Sequence, residues 1–246
     1  MIARLPREPG GIGVATRWVG GGDAGLTLRA PSGMAFAGDT LWVADERVLR
    51  GFDRKTGRSV TSVDLGPVGA VSLGDVASGP DGSLYVTDAD RQLGEPGKPG
   101  LGEYGRIYRV FPSGRASSAL LSGRIASPTW MAWDARAKRF VLAPSVGDTL
   151  FAWRPGQRRP QPLVAGPGRY RGVAATPEGR VFVASEATGG LYELRDGRLE
   201  EVLPGLRGVT DLAYDPVHRW LAVPMRDAGR VAFYAAPPAG AGRGRR

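Results

Sequence analysis

The chain has 246 residues, 42% of them apolar, a length that suits one all-β domain with a sizeable core. With no Cys and a single His (His218), disulfides, thiol chemistry, a histidine metal cluster and a serine triad with its own histidine are excluded. The formal net charge is +9, yet the arginines are spread along the chain, which argues against a specific nucleic-acid surface. Lys55, Lys98 and Lys138 are the only lysines among 33 basic residues. No run of 18 apolar residues is present, so no membrane-spanning helix is expected. Met1-Ile-Ala-Arg-Leu-Pro-Arg-Glu lacks the apolar region of a signal peptide.

In chain order, Ile2-Ala-Arg-Leu5 and Val14-Ala-Thr-Arg-Trp-Val19 read as two strands. From there a four-strand unit repeats. Strand a ends in Ala at Ser32-Gly-Met-Ala35, Gly74-Asp-Val-Ala77, Thr129-Trp-Met-Ala132, Arg171-Gly-Val-Ala174 and Thr210-Asp-Leu-Ala213. Turn residues follow it, as at Gly38-Asp39, Pro80-Asp-Gly82 and Pro177-Glu-Gly179. Strand b is continuously apolar: Leu41-Trp-Val-Ala44, Leu84-Tyr-Val-Thr87, Phe140-Val-Leu-Ala143, Val181-Phe-Val-Ala184 and Trp220-Leu-Ala-Val223. Strand c alternates, as in Thr149-Leu-Phe-Ala-Trp153 and Gly190-Leu-Tyr-Glu-Leu194. Strand d is weaker, as in Val60-Thr-Ser-Val63 and Leu199-Glu-Glu-Val-Leu203. Four strands in roughly 40 residues, repeated with little helical periodicity, predict an all-β propeller of four-stranded blades.

The ends do not fill a whole number of blades, and two closures are open. Val14 to Val19 completes the last blade, giving five blades closed by both termini. Alternatively, Ile2–Leu5 and Val14–Val19 are the outer half of an incomplete first blade of a six-bladed propeller. The propeller domain is assigned to residues 1–236, and residues 237–246, ending in Arg243-Gly-Arg-Arg246, to a disordered basic tail. An insertion over 89–104, rich in Gly and Pro, reads as a candidate lid over the channel or as a disordered decoration.

The strings Trp18-Val-Gly-Gly21, Leu28-Arg-Ala-Pro-Ser-Gly-Met-Ala35, Gly38-Asp-Thr-Leu-Trp-Val-Ala-Asp45, Val48-Leu-Arg-Gly-Phe-Asp53 and Gly79-Pro-Asp-Gly-Ser-Leu-Tyr-Val-Thr-Asp88 resemble bacterial members of the family of gluconolactonase, senescence marker protein and luciferin-regenerating enzyme. The resemblance runs from Ile2 to Tyr234. It implies a six-bladed propeller, with an inner strand pair before Ile2, and a divalent metal such as Ca²⁺ that serves sugar-lactone hydrolysis in the enzymes. It also implies Glu, Asn and Asp ligands at the start of inner strands. The matching column here reads Ser32, Gly74, Thr129, Arg171 and Thr210, with no carboxylate or amide. A hard cation needs several charged oxygens, and a fixed arginine charge opposes it. The expectation is therefore a degenerate member that binds a small molecule at the channel mouth with no cofactor, through Asp75, Thr129, Trp130, Arg171, Thr210 and Asp211. A metal-dependent lactone hydrolase with one divalent cation, and a scaffold for a protein partner, are the alternatives. No catalytic residue is assigned.

Asp75 and Asp211 share the column after the ligand column; they read as a carboxylate pair or as turn caps and partners of Arg171. Asp45 and Asp88 recur at the end of strand b and read as structural. Trp130 and Trp133 are read as sharing one face of their strand. His218 reads as a surface residue. Compartment is open: exported if the true start lies upstream, otherwise cytoplasmic.

Overall fold

The computed structural model describes residues 2–5, 7–8, 11–12, 14–19, 28–88, 105–123, 125 and 128–238. The candidate lid 89–104 and residues 239–246 of the basic tail lie outside them. Two compact units divide the chain: Met1–Gly102 with Arg106–Ala119, and Glu103–Gly105 with Leu120–Arg246.

In the first unit, β1 (Ile2–Arg4) pairs antiparallel with β4 (Thr16–Val19), and a two-residue ladder joins β2 (Arg7–Glu8) to β3 (Gly11–Ile12). The first four-stranded sheet is β5 (Pro31–Ala37), β6 (Thr40–Asp45), β7 (Val48–Asp53) and β8 (Ser59–Asp64). The second is β9 (Leu73–Ser78), β10 (Leu84–Asp88), β11 (Gly105–Val110) and β12 (Ala116–Ser122), whose last residues are counted with the second unit. The second unit adds two more four-stranded sheets. One is β13 (Pro128–Asp134), β14 (Arg139–Pro144), β15 (Thr149–Trp153) and β16 (Gln161–Ala165). The other is β17 (Tyr170–Ala175), β18 (Val181–Ser185), β19 (Gly190–Arg195) and β20 (Arg198–Leu203). A three-stranded sheet of β21 (Ala213–Asp215), β22 (Trp220–Met225) and β23 (Arg230–Ala235) ends the series.

The predicted all-β architecture of four-stranded blades is therefore observed in four sheets, and the last sheet has three strands. The expected six-bladed count is corrected to five, because each of the five repeat-Ala strands founds one sheet and β1–β4 founds none of that size. The five-blade alternative fits. Its strand assignment is different, however, since β4 pairs with β1 in a separate two-stranded sheet. Thr210–Leu212 also fall outside a strand; a single bridge, Val209 to Met225, precedes β21.

Strand b is apolar throughout because both of its faces are covered, as in buried parallel sheets. In β6, Leu41 and Val43 meet Ile2, Val19 and Phe52 on one side, while Ala44 and Trp42 join Leu65, Val76, Leu84 and Tyr108 on the other. In β18, Val181 and Val183 pack with Tyr170 and Val141, whereas Phe182 and Ala184 pack with Leu206, Leu221 and Met225. Side chains alternate across a strand, so consecutive residues serve successive cores. The glycines of the a–b turns, Gly82 and Gly179, have φ of 73° and 84°, the left-handed conformation that the turn requires.

β5 lacks two-sided cover. Met34 and Phe36 are 52% and 51% exposed. Their cross-strand neighbours Val43 and Leu41 share that face and are buried beneath β1 and β4. The hairpin thus covers the outer part of the face and leaves the inner strand bare, apart from Arg54, whose guanidinium lies 4.7 Å from the Phe36 ring centre.

Candidate functional site

Four of the five residues of the expected ligand column have a contact that explains them locally. In the first unit, Ser32 Oγ donates to the carbonyls of Leu73 (2.9 Å) and Gly74 (2.6 Å), tying β5 to β9. Gly74 supplies one of those carbonyls. In the second unit, Thr210 Oγ1 donates to Pro224 O at 3.4 Å. Arg171 donates from Nε and Nη2 to one oxygen of Glu186, at 2.9 and 2.6 Å. Arg169 adds a third bond to that oxygen, at 3.0 Å. Thr129, the fifth, is buried on β13.

Hydrogen bonds from Arg171 hold the Glu186 carboxyl below the usual glutamate range, against a smaller opposing effect of burial. Glu186 thus takes the place expected for Asp75 or Asp211 as the partner of Arg171. Sequence reading missed it because it lies just past strand b, facing Arg171 across the β17–β18 hairpin, where Tyr170 pairs with Ser185. Arg171 also lies 5.7 Å from the ring centre of Trp130, a cation–π distance. Trp130, Arg171 and Glu186 therefore form one cluster. Trp130 and Trp133 do not share a face: they are three residues apart on a regular stretch of β13, which puts them on opposite sides.

The two aspartates have the same local geometry, one in each unit. Asp75 Oδ1 accepts from Val76 N–H at 2.8 Å, and Asp211 Oδ1 from Leu212 N–H at 2.8 Å. Each also faces a glycine of the preceding inner strand. A Cβ on Gly33 would sit 2.3 Å from Asp75 Oδ1 and 2.5 Å from its Cα; one on Gly172 would sit 2.7 Å from the Asp211 carbonyl carbon. Glycine lets the backbones approach closely enough to bring each carboxylate alongside the neighbouring strand. Burial pushes the Asp211 carboxyl up to about 6, with the Leu212 N–H pulling weakly the other way. We expect Gly33→Ala to destabilise the protein by about 1–3 kcal/mol, because the clash at Cα is with backbone that cannot swing aside. Urea unfolding measures it.

Asp45 and Asp88 are structural. Asp45 Oδ1 accepts from the N–H groups of Arg29 and Ala30, both at 2.8 Å. Asp88 accepts from those of Val71 (2.9 Å) and Ser72 (3.0 Å). Each carboxylate clamps the segment leading into strand a. Ser185 stands at the same position and donates to Gly168 O at 2.7 Å.

The divalent cation implied by the resemblance does not fit the residues present. The column offers a guanidinium and three hydroxyls, of which those of Ser32 and Thr210 are engaged with carbonyls. Among the described residues no three His, Cys, Asp or Glu lie together as a metal cluster.

No family model and no curated protein matches this chain. Solved structures do. A gluconolactonase from Xanthomonas campestris superposes with a TM-score of 0.60 at 19% identity, over 79% of this chain and 69% of the other. A luciferin-regenerating enzyme superposes with a TM-score of 0.61 at 18% identity, over 79% and 70%. The chain has the gluconolactonase-type β-propeller fold. The fold alone does not fix the chemistry of this propeller. The extracellular domain of a candidate one-component system from B. thetaiotaomicron superposes over 83% of the chain with a TM-score of 0.58 at 14% identity, although the chain spans only 27% of that protein. No helix among the described residues is long and apolar enough to cross a membrane.

Proposed function

We propose that this chain is a gluconolactonase-like propeller that binds a small anionic molecule without a divalent metal, at the inner-strand ends of the second unit. The observation that carries the reading is Arg171. It stands in the column where the resemblance implies metal ligands, is fixed by Glu186, and lies against Trp130. Arg169 and Arg171 share a single carboxylate, so one cationic charge is left for a ligand. Thr129, Thr210 and Asp211 complete the proposed site. Asp211, raised by burial, is suited to accept a hydrogen bond from a ligand hydroxyl. Asp75 carries the matching carboxylate in the first unit.

The second reading is a lactone hydrolase. Asp211 favours it, because a carboxyl at about 6 is poised for proton transfer near neutral pH. Calorimetric titration with gluconate, with and without Ca²⁺, separates the two, together with an assay of gluconolactone hydrolysis. We expect gluconate binding that Ca²⁺ leaves unchanged, that weakens at least tenfold in Arg171→Ala, and that persists in Asp75→Ala. Tight one-to-one Ca²⁺ binding, with hydrolysis lost in Asp211→Asn, would put the hydrolase first. Binding unchanged in Arg171→Ala would remove the proposed site.

A further inference from the structure

A second candidate site lies in the first unit. An open-sided cavity of about 620 Å³ is bounded by Arg29, Arg47 and Arg50, with Glu46 and Asp64 at its rim and the aliphatic side chains of Val48 and Val71 in its wall.

The informative residue is Arg50, on β7. Its side chain is only 18% exposed, and its Nε donates to Asp45 Oδ2 at 2.6 Å. Asp45 is itself fully buried and held by two backbone N–H groups, so the guanidinium is anchored through one edge. Its Nη1 and Nη2 groups make no hydrogen bond among the described residues, and Arg50 lines the cavity.

Arg50 holds the aspartate through Nε alone. Arg50 pairs across the strand with Val43; the residues at the same register in two other blades are Tyr108, opposite Val86, and Tyr192, opposite Val183. Tyr108 brings its hydroxyl to 3.5 Å from Asp88, the equivalent carboxylate. The two terminal amino groups of Arg50 are surplus to that role.

We propose that this cavity binds the carboxylate of a small monoanionic molecule with an apolar body, through Nη1 and Nη2 of Arg50. A guanidinium edge presents two parallel donors at the spacing of two carboxylate oxygens. Arg29 and Arg47 sit beside it, each in a long ion pair at 3.6 and 3.5 Å with Glu46 and Asp64. Counting Asp45, three cations face three carboxylates, so the site tolerates one added negative charge better than the two of a phosphate. Val48 and Val71 supply the surface for the apolar body.

The test titrates the full chain with benzoate, with its neutral isostere benzamide and with inorganic phosphate, followed by calorimetry and by chemical-shift changes. Benzoate should bind at least tenfold more tightly than either comparator. Arg50→Tyr, which copies the neighbouring blade, should lose that binding at least tenfold while its Tm stays close to the wild type. Arg47→Glu, at an exposed position that does not threaten folding, should weaken it several-fold and keeps the test valid if Arg50→Tyr fails to fold. Equal binding of benzamide, tighter binding of phosphate, or benzoate binding unchanged in a folded Arg50→Tyr or in Arg47→Glu would each overturn the proposal.

Discussion

Replacing Glu193 with alanine is expected to cost about 3–5 kcal/mol of stability, the range seen when one partner of a buried ion pair is removed. Glu193 is 3% exposed on β19. Arg180 grips it with both forks, Nε to Oε1 at 2.6 Å and Nη2 to Oε2 at 2.8 Å. Arg195 approaches Oε2 through Nε at 2.8 Å and through Nη2. Without the carboxylate, the largely buried Arg180 guanidinium loses its counter-charge, while Arg195 retains its pair with Glu200, Nη1 to Oε2 at 3.2 Å. Arg180 would also hold less firmly the carbonyl of Pro237, which its Nη1 contacts at 2.6 Å as the chain leaves β23. Burial works to raise the Glu193 carboxyl, but the bonds from Arg180 and then Arg195 outweigh it and hold it below the ordinary glutamate value. For a depressed carboxyl, the stabilisation is fully present above the unfolded value of about 4.3 and is lost as the pH falls through the lowered native one. The stability gap between wild type and Glu193→Gln should therefore be widest at neutral pH and should close on acidification. A gap that is constant from neutral pH to pH 2 would show that the pair contributes shape and not charge. Guanidinium unfolding at several pH values makes the measurement, with salt held constant.

Asp88→Ala is expected to cost about 2–4 kcal/mol, because it removes the acceptor of two part-buried backbone donors, Val71 N–H and Ser72 N–H, and a contact of the Tyr108 hydroxyl. The loss should be local in character. Amide exchange at Val71 and Ser72 should accelerate far more than at β18, where Val181 and Val183 lie in a different core. Uniform acceleration across the protein would instead assign Asp88 to global packing.

Much of this fold was legible because the repeat states the same physics five times. The continuous apolar run Leu41-Trp-Val-Ala44 signalled a strand covered on both faces, and β6 is one. The aspartates ending β6 and β10 were readable as structural because they recur at equivalent positions and meet the same backbone donors. The blade count was less accessible, since Ile2–Leu5 and Val14–Val19 have the composition of strands but nothing in it states which sheet they join. The candidate site was only partly legible. Arg171 stood out by column, whereas Glu186 belongs to no column and becomes its partner only through the β17–β18 register. The role of Gly33 and Gly172 is visible only as a close approach between backbones. The buried cluster of Arg180, Glu193 and Arg195 was not read from the sequence, because Arg180 stands just before β18 and meets Glu193, 13 residues on, only through the fold.

The bare face of β5 has a practical consequence for anyone handling this protein. Met34 and Phe36 offer water a patch of thioether and aromatic ring in the fully folded state. Hydrophobic reporter dyes such as ANS, commonly used to diagnose loosened or partly molten proteins, will find a foothold there with every blade intact. A fluorescent signal at low temperature therefore sets the baseline for this chain, and only a rise above it reports loss of packing.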